Sequence, residues 1–126
     1  FNRAGFLDSI SAEPVDGCFF RYSHGLNAGR FQAVCRANNV ETVSDTGVAV
    51  TAGQWYKREV TVNVAGTSAE FKIDNVVVAT LTTNIPIASG RDLGFGSATV
   101  RTAGTAAVSA IDHDLLECVV DFTTPR

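Results

Sequence analysis

The 126-residue sequence contains no methionine, one tryptophan, 3 prolines and 2 histidines. No apolar run approaches the ~20 residues that a membrane-spanning helix needs, and no basic segment followed by an apolar one opens the chain as in a signal peptide. The net charge of −3 gives no electrostatic reason to expect nucleic acid, because phosphate binding needs a basic surface. We therefore expect neither a membrane nor a nucleic acid as a partner.

The chain starts at Phe1 and lacks methionine, so we expect the C-terminal portion of a longer protein whose N-terminal part is missing. Hydrophobic residues make up 45% and charged residues 18%, as is typical of globular proteins and not of disordered ones. The length suits one domain with its own core. We predict a single domain over residues 1–126.

The cysteine count is odd, so at least one thiol is unpaired. Cys18, Cys35 and Cys118 each lie in an apolar, strand-like run, without CxxC spacing. We interpret them as small hydrophobic side chains of the core. A Cys18–Cys35 disulfide stays open, because the two residues fall on adjacent predicted strands. The spacing does not match that of a metal site, and we predict neither a metal nor a cofactor.

Short β-branched segments separated by turn residues dominate the chain, and 11 glycines are spread evenly along it. This pattern is typical of an antiparallel sandwich or barrel. The clearest signals lie in residues 55–81, where valine alternates with polar residues over 60–64 and a turn follows over 65–68. Asp74 and Asn75 indicate a two-residue hairpin turn, because both tolerate positive φ. We predict a three-stranded meander here.

The two turns of this meander fix a predicted register. The predicted cross-strand pairs are Val62–Phe71, Val60–Ile73, Ile73–Val76 and Phe71–Val78. Cross-strand partners share a face, so these six side chains form one apolar patch. The opposite, polar face carries Thr61, Asn63, Glu70 and Lys72.

Further strands are predicted on both sides of the meander. They are a hairpin of 17–24 and 30–36, two short strands at 40–43 and 48–51 divided by 45–47, and a last strand or two within 108–122. In the hairpin, Phe20, Tyr22, Phe31 and Ala33 share a face by alternation.

Residues 17–86 carry the patterns GCFFRY, VETVSDTGV, WYK, VNVAGTS and FKIDNVVVAT followed by TTNIP. These resemble the concanavalin A-like, or laminin G-like, jelly-roll domains found in many phage structural proteins. The resemblance covers roughly residues 3–118 and implies a two-sheet antiparallel β-sandwich. The chain departs from the family in lacking an N-terminal segment that completes the sheets. It also has Arg58 at an apolar position, where the guanidinium must reach solvent or find a carboxylate partner.

The resemblance implies a phage virion structural protein, either a capsid decoration or a tail appendage. Such a jelly roll docks onto other virion proteins, contacts host-surface glycans and forms oligomers, of which a trimer is one form. Its location is the particle surface. One alternative is a carbohydrate-binding lectin module of a larger extracellular protein. Another is a glycan hydrolase, since one sandwich fold hosts many functions.

Five residues are candidates for ligand binding. Trp55 and Tyr56 adjoin, and Trp55 either stacks on a sugar or a partner protein or lies in the sheet interface. Asp45, Asp74 and Asn75 offer oxygens to a ligand or to calcium, although isolated Asx turns usually serve only as turns.

The hydrolase alternative rests on Asp112, Asp114 and Glu117. Their spacing is similar to the E-x-D-x-x-E strand of jelly-roll glycosidases, in which the outer carboxylates act as nucleophile and general acid. The first acid here is an aspartate, one methylene short, and the reaction geometry tolerates such a displacement badly. We therefore expect a solvated acidic edge and no enzyme activity.

Overall fold

Strand-forming residues dominate the described part of the chain, residues 1–99 and 112–119 of a computed structural model. This part contains eight strands and one 3-10 turn: β1 (Asn2–Leu7), β2 (Gly17–Tyr22), the turn (Asn27–Gly29), β3 (Arg30–Ala37), β4 (Val40–Ala49), β5 (Arg58–Val62), β6 (Ala69–Ile73), β7 (Val76–Leu81) and β8 (Gly94–Thr99). The predicted all-β class is confirmed. Among the described residues, no helix is long and apolar enough to cross a bilayer.

The strands form two antiparallel sheets. One has five strands in the order β4-β3-β2-β1-β8, and the other has three in the order β5-β6-β7. The inner core draws on both sheets and consists of Cys18, Phe20, Phe31, Ala33, Cys35, Ala69, Phe71, Ile73 and Leu81. The Phe20 and Phe71 rings meet edge to face with centroids 5.3 Å apart. The predicted two-sheet sandwich and the shared face of the hairpin are thus confirmed.

The five-stranded sheet also buries side chains on its outer face. Phe19 and Val34 are directly paired there and pack with Leu7 in a second cluster. Gly5 lets β1 approach this cluster, because a Cβ at its position would lie 2.6 Å from the Cys18 carbonyl oxygen. A strand buried on both faces reads as a continuous apolar run. This explains why β2 begins with GCFF.

The meander of β5, β6 and β7 has the predicted strands but a different register. The predicted pairs Val62–Phe71 and Val60–Ile73 are wrong, and the observed pairs are Val62–Ala69, Val60–Phe71 and Arg58–Ile73. Asn63 causes the change, because its side-chain oxygen accepts hydrogen bonds from the backbone N–H groups of Thr67 (2.8 Å) and Ser68 (3.1 Å). The loop therefore begins one residue earlier than predicted. The register shifts by two, so every side chain keeps its predicted face.

The second turn of the meander is formed by Asp74 and Asn75, whose φ angles are 51° and 66°. The predicted Ile73–Val76 pair is confirmed, but Phe71 pairs with Ala79 because the register shifts between Phe71 and Lys72. Val76 is 63% exposed at the start of edge strand β7. The predicted apolar patch therefore holds without Val76.

Two other predicted segments need correction. Residues 40–49 form one ten-residue strand, β4, with a bulge opposite Arg30 and Gln32, instead of the two predicted short strands at 40–43 and 48–51. Gly47 has φ 74° in this irregular stretch, which lets the strand continue past it. In the predicted tail strand 108–122, the described residues 112–119 form no strand. The rest of that segment lies outside the described residues.

The Arg58 guanidinium, for which we predict either solvent or a carboxylate partner, has an amide oxygen as its partner. Its guanidinium donates a 2.9 Å hydrogen bond to the Asn2 side-chain oxygen and lies 5.5 Å from the centroid of the Phe31 ring. Burial lowers the pKa of Arg58 from its ordinary value. The sequence did not identify this partner, because Asn2 belongs to β1, a strand that the sequence pattern did not indicate.

Candidate binding surface

One end of the sandwich gathers three connections and a bulge, and we call it the loop end. It comprises residues 23–29, 45–47, 50–57 and 74–75. Backbone hydrogen bonds join these pieces, since Val50 N–H donates to Gly29 O (2.9 Å) and Asp74 N–H donates to Lys57 O (2.8 Å). Four of the five predicted ligand-binding residues lie on the 50–57 and 74–75 pieces, and the fifth, Asp45, lies on the bulge.

Trp55 and Tyr56 have different roles at the loop end. Trp55 is 64% exposed. Tyr56 is half-buried, with its ring edge to face against Phe31 at 5.3 Å. The Tyr56 hydroxyl donates to Ala49 O (3.0 Å) and accepts from Thr51 N–H (2.9 Å). Tyr56 therefore anchors the loop, and the Trp55 side chain in the same loop is exposed to solvent.

Asp74 and Asn75 brace the same loop through Lys57. The Asp74 carboxylate accepts the Lys57 backbone N–H at 2.9 Å, and the Lys57 ammonium donates to the Asn75 side-chain oxygen at 2.9 Å. The ammonium also lies 3.2 Å from a Glu59 oxygen. The structure thus brings Asp74 and Asn75 together around Lys57, which follows Trp55 by two residues in the same loop.

Asp45 is held by its own surroundings in the bulge. One carboxylate oxygen accepts from Gly47 N–H (2.9 Å) and from the Asn27 amide (3.0 Å), and the other pairs with Arg30 at 2.6 Å. These contacts, led by the Gly47 N–H, lower the pKa of Asp45. Over residues 1–99 and 112–119, no group of three or more His, Cys, Asp or Glu side chains converges to hold a metal.

A cleft that the sequence did not reveal adjoins the loop end, on the outer face of the five-stranded sheet. It has a volume of about 290 Å³ and is lined by Phe1, Arg3, Glu13, Arg21, Ser23, Leu26 and Glu41. We call it the arginine cleft. Arg3 and Arg21 are direct cross-strand partners on β1 and β2. The only sequence signal was that Arg21 lies two residues after Phe19, which places both side chains on the outer face of β2 by alternation.

The acidic residues Asp112, Asp114 and Glu117 are exposed and lie in a described segment without a strand. The glycosidase geometry needs its acids held on one strand, with the outer two flanking the same bond. Within residues 112–119 that support is absent.

The comparisons with known proteins give one match. The family model described as "SO2946-like, C-terminal domain" matches residues 2–114, which span all eight described strands. No curated protein and no solved structure matches the chain.

Proposed function

We propose that this chain, which belongs to the SO2946-like C-terminal domain family, is a non-catalytic binding domain on the surface of a phage particle. It docks onto another virion protein as a capsid decoration or tail appendage, and its loop end contacts a host glycan. The virion location is supported by the resemblance of residues 17–86 to the jelly-roll domains of phage structural proteins.

The display of Trp55 is the observation that carries the binding role. A large aromatic side chain gains free energy when a sugar ring or a protein surface covers it, and tryptophan is enriched among the residues that dominate binding energy. Tyr56 fixes the loop in advance through its ring contact and its two hydrogen bonds. Less conformational entropy is therefore lost when a ligand binds to Trp55.

Polar groups at the loop end suit a glycan. Lys57, Asp74 and Asn75 supply an ammonium, a carboxylate and an amide at the same end of the sandwich as Trp55. Sugars present hydroxyl groups at their edges and C–H groups on their faces, and binding sites match these with polar and aromatic side chains. In the lectin alternative, the same surface binds the glycan, but the domain belongs to a larger extracellular protein and not to a virion.

Glycan binding is tested with the full-length protein on an array of bacterial surface polysaccharides. We expect Trp55→Ala to weaken binding by about tenfold or more, the scale of a lost binding hot spot. Val64→Ala is the matched control, because Val64 is exposed in the loop at the opposite end of the sandwich. Equal binding by Trp55→Ala and the parent, or no binding to any glycan, would overturn the glycan contact.

The virion location is tested by mass spectrometry of purified particles from a host that encodes the protein. Peptides of this chain at structural stoichiometry support the proposal. Recovery of the chain only from the culture supernatant, with none in particles, favours the lectin module instead.

Self-association is part of the same proposal. Among the described strands, β4 and β8 are the edges of one sheet and β5 and β7 are the edges of the other, and edge strands can recruit another chain. Val76 and Val77 are exposed on β7. We expect sedimentation of the full-length protein to show an oligomer, and a monomer at every concentration tested would contradict this.

A further inference from the structure

The arginine cleft holds neighbouring positive charges, an arrangement that does not stabilise the folded state. Arg3 and Arg21 stand directly opposite each other on β1 and β2, although like charges at such positions destabilise a sheet. The Arg3 side chain is only 3% exposed, so water screens it poorly. Arg36 adds a third guanidinium within reach of the same two glutamates.

The two glutamates do not balance these three cations. Glu13 pairs with both Arg3 and Arg36, and Glu41 pairs with both Arg21 (3.1 Å) and Arg36 (3.6 Å). The cluster therefore carries one excess positive charge. Burial, followed by the charges of Arg21 and Arg36, lowers the pKa of Arg3. The Nε atoms of Arg3 and Arg36 are buried without a hydrogen-bond partner among the described residues.

An added carboxylate would relieve this imbalance. The planar guanidinium fork matches a carboxylate with two parallel hydrogen bonds. Glu13 and Glu41 are both partly exposed, so either can turn toward solvent and yield its place on an arginine to a ligand. A polyanion such as nucleic acid is poorly matched, because it would meet both glutamates and the overall charge of −3.

The remaining walls of the cleft suit a sugar ring. Leu26 is exposed and lines the cleft together with the Phe1 ring, which lies 4.4 Å from the Arg3 guanidinium. Ser23 adds a hydroxyl group. A cleft of about 290 Å³ lies at the small end of ligand sites, so it admits one sugar residue and not a longer chain.

We propose that the arginine cleft binds the carboxylate of an acidic sugar, a uronic acid residue of an anionic polysaccharide, with Arg21 and Arg3 as its anchors. This names a ligand class for the glycan contact and in that respect rests on the proposed function. The site is separate from Trp55, so the two can fail independently.

The test is a titration of the full-length protein with glucuronate, followed by amide chemical shifts in NMR spectra. Glucose serves as the neutral ring and acetate as the carboxylate without a ring. We expect glucuronate to bind more tightly than either, to shift the amides of Arg21 and Ser23, and to bind more weakly at high salt. Equal binding of glucose, or no shift at saturating glucuronate, would overturn the proposal. Acetate binding as tight as glucuronate would show a simple anion site and overturn the sugar assignment.

Variants separate this site from the loop end. Arg21→Gln should weaken glucuronate binding by about tenfold or more, because one charge-assisted hydrogen-bonding partner is lost. Lys72→Gln, on the outer face of the other sheet, is the matched control, and Trp55→Ala should leave glucuronate binding unchanged. Arg3→Lys, which keeps the charge of a buried side chain, is a second variant in case Arg21→Gln folds poorly. Unchanged binding by folded Arg21→Gln and Arg3→Lys would contradict the site.

Discussion

The sulfur atoms of Cys18 and Cys35 lie 2.9 Å apart in the inner core, at directly paired positions of β2 and β3. Both residues are free thiols and fully buried. The hydrogen bond between them, and then burial, raise the pKa of Cys18 far above its ordinary value. The thiolate that attacks an oxidant is therefore scarce in the folded protein.

We expect slow oxidation to join this pair. The oxidant is oxidised glutathione. Forming the Cys18–Cys35 disulfide removes two hydrogen atoms from the protein, and these reduce one oxidised glutathione to two molecules of reduced glutathione. The residues are 17 apart in sequence, and closing a loop of this size stabilises the fold by about 3 kcal/mol in the chain-entropy description. The measurement is thiol alkylation in denaturant, read by mass spectrometry, together with urea unfolding. Cys118→Ser is the control, because Cys118 is exposed. Two alkylated core thiols after prolonged oxidation would contradict the prediction.

The Phe71 ring is the second test of the core. Phe71 is fully buried and packs edge to face on Phe20. Phe71→Ala should lower the free energy of unfolding by about 3–5 kcal/mol, because it removes apolar contacts and leaves a cavity. Val76→Ala should change it by less than about 0.5 kcal/mol, since Val76 is exposed. Chemical unfolding curves of the two variants give both values, and similar losses would mean that the core is misplaced.

Alternation and turn chemistry predicted the faces of the meander but not its register. A period of two assigns a face to each residue regardless of which partner it has, so Val60 and Phe71 were placed on the inner face correctly. The register depends on where the loop begins, and this is decided by the side-chain hydrogen bonds of Asn63. A valine follows Asn63 and extends the apparent alternation, so the sequence pattern favoured the wrong start.

The arginine cleft was beyond prediction for a different reason. Its residues are Phe1 and members of β1, the loop after β1, β2, the loop after β2, and β4. Arg3 and Glu13 reach the others because β1 lies beside β2 in the five-stranded sheet. Strand β1 has the sequence NRAGFL, in which Arg3 and Gly5 break the apolar pattern. Without that strand, the sequence offered no reason to bring Arg3 to Arg21.

Asp45 gives the fold a predictable response to acid. Its pKa is lowered in the folded state by Gly47 N–H and Asn27, so ionised Asp45 favours folding. This contribution is present above the unfolded value of about 3.9 and is lost as the pH falls through the lower folded value. Asp45→Asn should therefore be less stable than the parent at pH 7, and the difference should shrink below about pH 4. Urea unfolding at several pH values checks this, and a difference that grows in acid would refute it.

Arg58 and Asn2 link the two sheets through a side-chain hydrogen bond. Asn2 is buried, and its oxygen accepts the hydrogen bond from Arg58 on β5 while its amide donates to Ala98 O on β8 at 3.2 Å. Asn2→Ala leaves a half-buried guanidinium without this partner, and we expect a loss of about 2–3 kcal/mol in the free energy of unfolding.

The converse change removes the charge itself. Arg58→Met keeps an unbranched apolar stem against Phe31 and removes the cost of burying the cation, so we expect a loss of only about 1 kcal/mol, mainly from the unpaired Asn2 oxygen. In the double variant neither group is left unpaired. Its loss should therefore be smaller than the sum of the two single losses by about 1 kcal/mol or more, as groups in direct contact show. Strict additivity in urea unfolding would mean that the Arg58–Asn2 hydrogen bond contributes nothing to stability, and that the two sheets are held at this edge by apolar contacts alone.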